Sequence, residues 1–289
     1  MKNKQEAYFF EGAVPFEKPQ LKVGFLVKKK LYSGKSLFQK IDVLEFANYG
    51  TALILDDIVQ TTVKDEFIYH EMLNQVPLFL HPSPKKVLVV GGGDGGSLEE
   101  VLKHKNVKKA VMAEIDGKVV EVSRKYLPSI SKDAFTDKRA ELLIEDGWKY
   151  LKGKKNEFDV IILDLSDPEG PAKSLISLPF YRDVKKALKR GGIVSVQSGS
   201  FTTQPELVAT ISKRLKKVFR HVAVRRACVP AYQAGEYTFT VASDYNFPGV
   251  LKQTLQRRFA ASKMRLRFWS PAMHEATAVL PEYLKDALR

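Results

Sequence analysis

The sequence predicts an α/β protein with a mostly parallel sheet, preceded by a small antiparallel β-domain. Three observations carry this prediction. From Lys85 onward, apolar runs at 87–90, 110–113, 142–144, 160–163 and 193–196 alternate with helical segments at 98–103, 119–126 and 181–188. That alternation is the pattern of a parallel sheet covered on both faces. Before residue 63 the runs are short and β-like, at 21–27, 38–46 and 51–55, with turn signals at Ser33-Gly34, Asn48-Tyr49-Gly50 and Asp56-Asp57 between them. Finally, the strand-like run 87–90 enters the glycine-dense turn Gly91-Gly92-Gly93-Asp94-Gly95-Gly96, and a helical pattern opens at Ser97.

The expected domains are therefore 1–63, a β-strand domain, and 64–289, an α/β catalytic domain. Residues 65–79 join them as a helix, with Phe67, Ile68, Met72, Leu73 and Val76 on an apolar stripe. The segment His81-Pro82-Ser83-Pro84 stops that helix. A helix near 205–218 and two strands at 222–226 and 237–242 complete the order.

Composition narrows the function classes. At 289 residues and 44% apolar, the chain can build a sizeable core, and no apolar run approaches membrane-spanning length. Residues Met1 to Glu6 are polar with no apolar stretch behind them, so no secretory signal is expected. The single cysteine, Cys228, excludes an intrachain disulfide and fits a reducing cytoplasm. Forty-seven Lys+Arg against 33 Asp+Glu give +14, which taken alone points to nucleic acid. The cations at Lys185, Lys186, Lys189 and Arg190, and at Lys213, Arg214, Lys216 and Lys217, are interleaved with apolar residues in helical segments. That is the pattern of solvated faces, and no nucleic-acid partner is expected.

In a parallel sheet, ligands bind beyond the carboxyl ends of the strands. Here the first strand ends at Asp94 and the second at Glu114 and Asp116. The third ends at Glu145 and Asp146, the fourth at Asp164 and Asp167, and the fifth at Gln197. Gly91, Gly93 and Gly96 satisfy a dinucleotide-type spacing, but Asp94 stands where a pyrophosphate would lie against backbone N–H groups. A cationic nucleoside fits better. The same carboxylate disfavours a dehydrogenase, and also a methyltransferase whose cofactor carries a methionine carboxylate. A non-catalytic RNA-binding protein would account for the charge but not for acids ending four strands.

Glu114 follows Gly96 by 18 residues, where an acid accepts from ribose hydroxyls; the alternative is a solvated loop acid. Asp146 suits an adenine amino group, and Gly147 lets backbone approach the ring. Trp148 either covers the base or fills core. Asp164-Leu165-Ser166-Asp167-Pro168 reads as the reaction centre, because two acids leaving a buried strand attract an ammonium and accept its proton; the alternative is a pair of turn-forming aspartates. His70, His81, His104, His221, His274 and Cys228 lack metal-ligand spacing, so no metal is expected. His70 alone lies beside the entry to the sheet, where a packed or capped histidine is the simplest reading.

These motifs, in this order, resemble the polyamine aminopropyltransferases. The likeness extends through Gln60-Thr61-Thr62, Asp65 to Glu71, Phe180-Tyr181, Pro230-Ala231-Tyr232 and the tail around His274. The resemblance implies a methyltransferase-like Rossmann domain behind the β-domain, assembled as a homodimer or homotetramer. It implies decarboxylated S-adenosylmethionine as co-substrate, a polyamine acceptor and no permanently bound cofactor. Asp94 would hold the aminopropyl amine, with Gln60 and His70 nearby. Gly91 and Gly93 would admit the nucleoside, Glu114 and Ile115 the ribose, Asp146 and Gly147 the adenine, and Gln39 would reach over from the β-domain. Asp164 would deprotonate the attacking amine, aided by Tyr69, while Asp167 and Tyr232 would orient the acceptor.

Departures from the spermidine-synthase pattern bear on the acceptor. Leu165 replaces a hydroxyl residue, Gly199 replaces a carboxylate, and Thr202 and Tyr237 stand at tryptophan positions. Leu165 and Gly199, together with Asp133-Ala134-Phe135-Thr136-Asp137, resemble the thermospermine synthase branch. The expected reaction is spermidine to thermospermine (or spermine), with putrescine as the rival acceptor and agmatine a further one. Gly199 and Thr202 are expected to open the distal end of the acceptor pocket.

Overall fold

The computed structural model describes residues 7–12, 22–166, 170–232 and 235–288, with 170–172 described in backbone only. Met1 to Glu6, Leu21, Asp167 and Pro168, all named above, lie outside the described residues.

The first sheet is an antiparallel meander of β1 (Ala7–Phe10), β2 (Gly24–Lys35), β3 (Lys40–Phe46), β4 (Gly50–Leu55) and β5 (Ile58–Thr62), in that order. Asp56 and Asp57 both take positive φ, 46° and 65°, between paired Leu55 and Ile58. This is the backbone that a two-residue hairpin requires. One set of side chains, Phe25, Leu44, Phe46, Ala52, Ile54 and Val59, forms the small core of this domain. Ile41, Val43 and Leu53 instead meet Val119, Val122, Leu127 and Ile130 of the second domain. Each such side chain contributes about 1.5–3 kcal/mol by leaving water, so the β-domain is held as a roof over the sheet that follows.

The connecting helix α1 (Glu66–Leu80) is buried from Tyr69 onward. Behind it comes a seven-stranded sheet made of β6 (Lys86–Gly91), β7 (Lys109–Glu114), β8 (Ala140–Ile144), β9 (Phe158–Asp164), β10 (Leu188–Gln197), β11 (His221–Cys228) and β12 (Glu236–Ser243). Its order is β11-β12-β10-β9-β6-β7-β8, with β6 to β10 parallel and β12 antiparallel to both neighbours. Period-two alternation divides the core. Val87 and Val89 of β6 face α1 and α2 (Gly96–Leu102), while Leu88 and Val90 face α6 (Leu178–Ala187) and α7 (Pro205–Lys216). The remaining helices are α3 (Gly117–Tyr126), α4 (Pro128–Ser131), α5 (Gly147–Leu151), α8 (Lys252–Ser262), α9 (Pro271–Ala276) and α10 (Glu282–Leu288).

Strand order reverses on either side of β6, between β7 and β9, and this switch point is where an α/β sheet opens a crevice. Among the described residues no helix is long and apolar enough to cross a membrane. Two strands went unread in the sequence. β1 is only four residues long, and β5 carries Gln60, Thr61 and Thr62, a polar run that hides its pairing with β4.

Candidate active site

A cavity of about 610 Å³ opens at the carboxyl ends of β6, β7 and β9, beside β4, β5 and the turn that holds Phe38 and Gln39. The turn after β6 brings the first acids together. Gly91 has φ +81°, and a Cβ there would lie 2.1 Å from the Asp164 carbonyl oxygen, so only glycine lets β6 and β9 end side by side. The Gly92 N–H donates to that same carbonyl at 2.9 Å.

Asp94 folds back onto its own turn, Oδ1 accepting from the Gly96 N–H at 2.8 Å. Its Oδ2 lies 3.4 Å from Nε2 of His70, whose Nδ1 is 2.8 Å from Glu66 Oε2. Burial works against a charged imidazole here, but Asp94 and Glu66 on its two nitrogens prevail and hold the His70 pKa well above its usual value. His70 is buried behind Asp94 rather than on the cavity wall, with a carboxylate facing each ring nitrogen.

Asp164, at the end of β9, accepts from the Tyr69 hydroxyl on Oδ1 at 2.7 Å and from Ser97 Oγ on Oδ2 at 2.6 Å. Burial, and then Asp94, raise its pKa, while His70, Ser97 and Tyr69 oppose them. Burial and Asp164 push the Tyr69 phenol well up, which keeps it a hydrogen donor. Ligand-type atoms of His70, Asp94 and Asp164 all lie within 4.8 Å of one another. A metal would need a neutral imidazole, whereas these carboxylates favour imidazolium. The set matches an ammonium group better.

On the other side of the turn, Glu114 is buried and its Oε1 accepts from the Asp116 N–H at 2.8 Å. Burial foremost, then Asp116 and Asp164, push it up to about 7. Asp116 is fully covered and gathers Ser36 Oγ at 2.6 Å and Gln39 Nε2 at 2.9 Å from the β-domain. Asp146 caps α5 through the N–H groups of Trp148 at 2.8 Å and Lys149 at 3.2 Å. With Gly147 and Ile115 it lines the cavity. Trp148 packs edge-on against Phe180 at 5.5 Å and donates to Asp183, so it belongs to the α6 contact and not to the base.

Tyr69, Tyr232 and Tyr237 form an aromatic group beyond Asp164, with centroids 4.9–5.9 Å apart. The Tyr232 hydroxyl donates to the Gln60 carbonyl at 2.7 Å, and that of Tyr237 to Gln197 Oε1 at 2.5 Å. Gln60, Leu165, Ser200, Thr203 and Gln204 continue this wall. Two expectations need correction here. Gly199 does not open the pocket: its φ is +81°, and a Cβ would meet Gln204 Oε1 at 2.6 Å and Leu207 at 3.0 Å, so the turn itself demands glycine. Thr202 is exposed and lies off the cavity wall, where Thr203 stands instead. The Asp167 contribution lies outside the described residues.

Sequence reading missed Glu11, Ser36, Asn74 and Ser97 as parts of the site, and it read Asp116 only as an acid at a strand end, without its partners in the β-domain. Glu11 is buried, accepts from the Val59 N–H at 2.8 Å and lines the cavity, but it follows a strand too short to notice. For Ser97 the signal was present, since it directly follows the glycine turn.

Fold and site together define a Rossmann-type transferase whose acidic crevice suits a cationic nucleoside. Residues 66–251 match the spermine/spermidine synthase domain and residues 9–63 the spermidine synthase tetramerisation domain. The polyamine aminopropyltransferase of Bacillus mycoides (strain KBAB4) is 42% identical over 263 residues, covering 91% of this chain and 94% of that protein. That of Thermoanaerobacter sp. (strain X514) is 42% identical over 266 residues, covering 92% and 94%. A crystal structure of spermidine synthase with the transition-state analogue AdoDATO superposes with a TM-score of 0.93 at 37% identity, covering 99% of this chain and 96% of that one. Spermidine synthase from Thermotoga maritima gives 0.90 at 37% identity, covering 99% and 95%. The chain belongs to the spermine/spermidine synthase family and is an aminopropyltransferase.

Proposed function

We propose that the enzyme moves the aminopropyl group of decarboxylated S-adenosylmethionine to spermidine, giving thermospermine (or spermine) and 5′-methylthioadenosine. Glu114 and Gln39 take the ribose hydroxyls, Asp146 the adenine amino group, and Asp94, backed by His70, the aminopropyl ammonium. The structural likeness to a spermidine synthase that binds AdoDATO supports this placement of the nucleoside. Asp164 captures the acceptor amine as its ammonium and takes the proton that must leave before nitrogen can attack. The nitrogen lone pair forms the new C–N bond as the C–S bond breaks, and the electron pair passes to sulfur, leaving a neutral thioether. Holding nitrogen, carbon and sulfur in line within a water-poor crevice supplies much of the rate.

The observation that carries the triamine reading is the wall beyond Asp164. Among the described residues there, Leu165, Ser200, Thr203 and Gln204 carry no carboxylate, and the apolar Leu165 suits the longer methylene chain of a triamine. Gly199 and Thr202 add nothing to this reading. Putrescine is the second reading, favoured by Glu11, a buried carboxylate on the same cavity. The deciding experiment offers decarboxylated S-adenosylmethionine with spermidine, putrescine or agmatine and separates the products, spermine from thermospermine included. A clear kcat/KM preference for putrescine or agmatine overturns the triamine reading. Tight binding of intact S-adenosylmethionine at the site would point instead to methyl transfer. The match of residues 9–63 to a tetramerisation domain supports a homodimer or homotetramer assembled through the β-domain.

A further inference from the structure

We infer that Asn74 and Ser97 form a one-directional hydrogen-bond relay that holds Asp164 in the carboxylate form on which capture of the acceptor amine depends. This deepens the reading of Asp164 given above and rests on it. Asn74 lies on α1, one turn beyond His70, and is fully buried. Its Nδ2 donates to the His70 carbonyl at 2.9 Å and to Ser97 Oγ at 2.8 Å. The carbonyl fixes which way the amide points, because a flipped Asn74 would set oxygen against oxygen. An amide nitrogen cannot accept. The Ser97 hydrogen is therefore turned away from Asn74 and given to Asp164 Oδ2, 2.6 Å away.

Tyr69 donates to the other oxygen of Asp164 at 2.7 Å, so both oxygens receive hydrogens from within the protein. A protonated Asp164 would bring its own hydrogen against one of these donors. The charged groups facing Asp164 are Asp94 from the glycine turn and Glu114 from the end of β7, both opposing its charge, and His70 from α1, supporting it. Tyr69 from α1 and Ser97 from α2 are the neutral donors. The relay adds to the side of His70.

A packing role alone does not account for Asn74. Its Oδ1 is buried with no hydrogen-bond partner among the described residues, an arrangement that an apolar side chain of similar size would avoid. Asn74 and Ser97 are positioning residues, and they touch no substrate.

The test measures kcat/KM for the acceptor at saturating decarboxylated S-adenosylmethionine, for Ser97→Ala and Asn74→Leu against the parent, from about pH 6 to about pH 9. Dividing variant by parent at each pH cancels the acceptor's own ionisation. For Ser97→Ala the ratio should lie within about twofold of one at the alkaline end and fall steadily toward the acid end, with about one tenth as its limit where pH lies below the pKa of Asp164. That is the effect of losing one charge-assisted hydrogen bond, about one pKa unit. Ser97→Thr should restore the profile. Asn74→Leu should move the ratio in the same direction, less far, and add nothing in the Ser97→Ala background. A ratio flat with pH overturns the relay, and so does an Asn74→Leu effect that persists without Ser97. If Ser97→Ala loses its thermal transition, Asn74→Leu alone decides by the same ratio. Asp164→Asn, assayed beside them, keeps the two inferences separable. Loss of methylthioadenosine binding there overturns the acceptor-side reading of Asp164, whereas a flat Ser97→Ala ratio with that binding intact overturns only the relay.

Discussion

Gln39 donates its side-chain amide to Oδ2 of Asp116 at 2.9 Å, fastening the β2–β3 hairpin of one domain to the turn between β7 and α3 of the other. Asp116 takes Ser36 Oγ on the same oxygen, caps α3 through the Lys118 N–H with Oδ1, and holds Glu114 Oε1 with its own N–H. On the function proposed above, the Gln39 carbonyl oxygen and Glu114 Oε2 are the two acceptors offered to the ribose diol, and Asp116 is the buried residue that holds both side chains. Asp116→Asn should raise the Kd for methylthioadenosine, measured by calorimetry, about tenfold. That corresponds to one hydrogen bond to a charged group. The kcat at saturating nucleoside should stay within about threefold.

On the proposed reading, Glu114 should make nucleoside binding depend on pH. Its carboxyl is pushed up to about 7, and its Oε2 accepts a ribose hydroxyl most strongly when ionised. Below about pH 7 binding has to expel a proton, so affinity should fall, approaching tenfold per pH unit. Above that pH affinity should level off. Without ligand the sign is opposite. An acid whose folded pKa is raised above its unfolded value binds the proton more tightly when folded, so its contribution to stability is present below the unfolded pKa of 4.5 and lost as pH rises through about 7. Glu114→Gln should abolish the pH dependence of methylthioadenosine binding and raise the ligand-free Tm at about pH 8.

Asp164→Asn tests the reaction centre. The amide keeps the shape but loses the charge that captures the ammonium, so kcat should fall about 10²–10⁴-fold, the usual contribution of a positioned base. Methylthioadenosine binding should hold within about threefold, because the groups read here as holding the nucleoside are Gln39, Glu114 and Asp146. Single-turnover rates and calorimetry on the same preparation check both halves.

How much of this was legible follows from how each feature is encoded. Parallel strands buried on both faces read as unbroken apolar runs, so β6, β7, β9 and β10 stood out, and with them the acids at their ends. The cross-domain hydrogen bonds were not legible. Ser36 and Asp116 are 80 residues apart, and nothing in either local sequence announces the other. Asn74 carries no local signal either, since it lies in a helix that is buried almost all round. Gly199 misled for a different reason: a missing side chain looks like empty space in a sequence, whereas at φ +81° it is a backbone requirement.

That last point yields a prediction about acceptor choice. If position 199 widened the pocket, adding a side chain there would change which amine is used. The geometry predicts otherwise. Gly199→Ala puts a Cβ 2.6 Å from Gln204 Oε1 and forces a residue with a side chain into left-handed backbone, a strain of about 1–3 kcal/mol. It should lower Tm by several degrees. Any effect on acceptors should come through displaced Gln204, and should weaken all of them alike. Thr202→Trp, at an exposed position off the wall, should leave the ratio of spermidine to putrescine kcat/KM within about twofold. Thr203→Trp and Leu165→Ser act on residues that do line the cavity. The first should cost the longer acceptor more than the shorter. The second exchanges an apolar wall for a hydroxyl and should shift the ratio toward putrescine by several-fold, since a terminal ammonium is costly beside an apolar side chain. Competition assays with both amines present read that ratio directly. A Thr202→Trp shift larger than the Leu165→Ser shift would place the acceptor on the far side of the 199–204 turn.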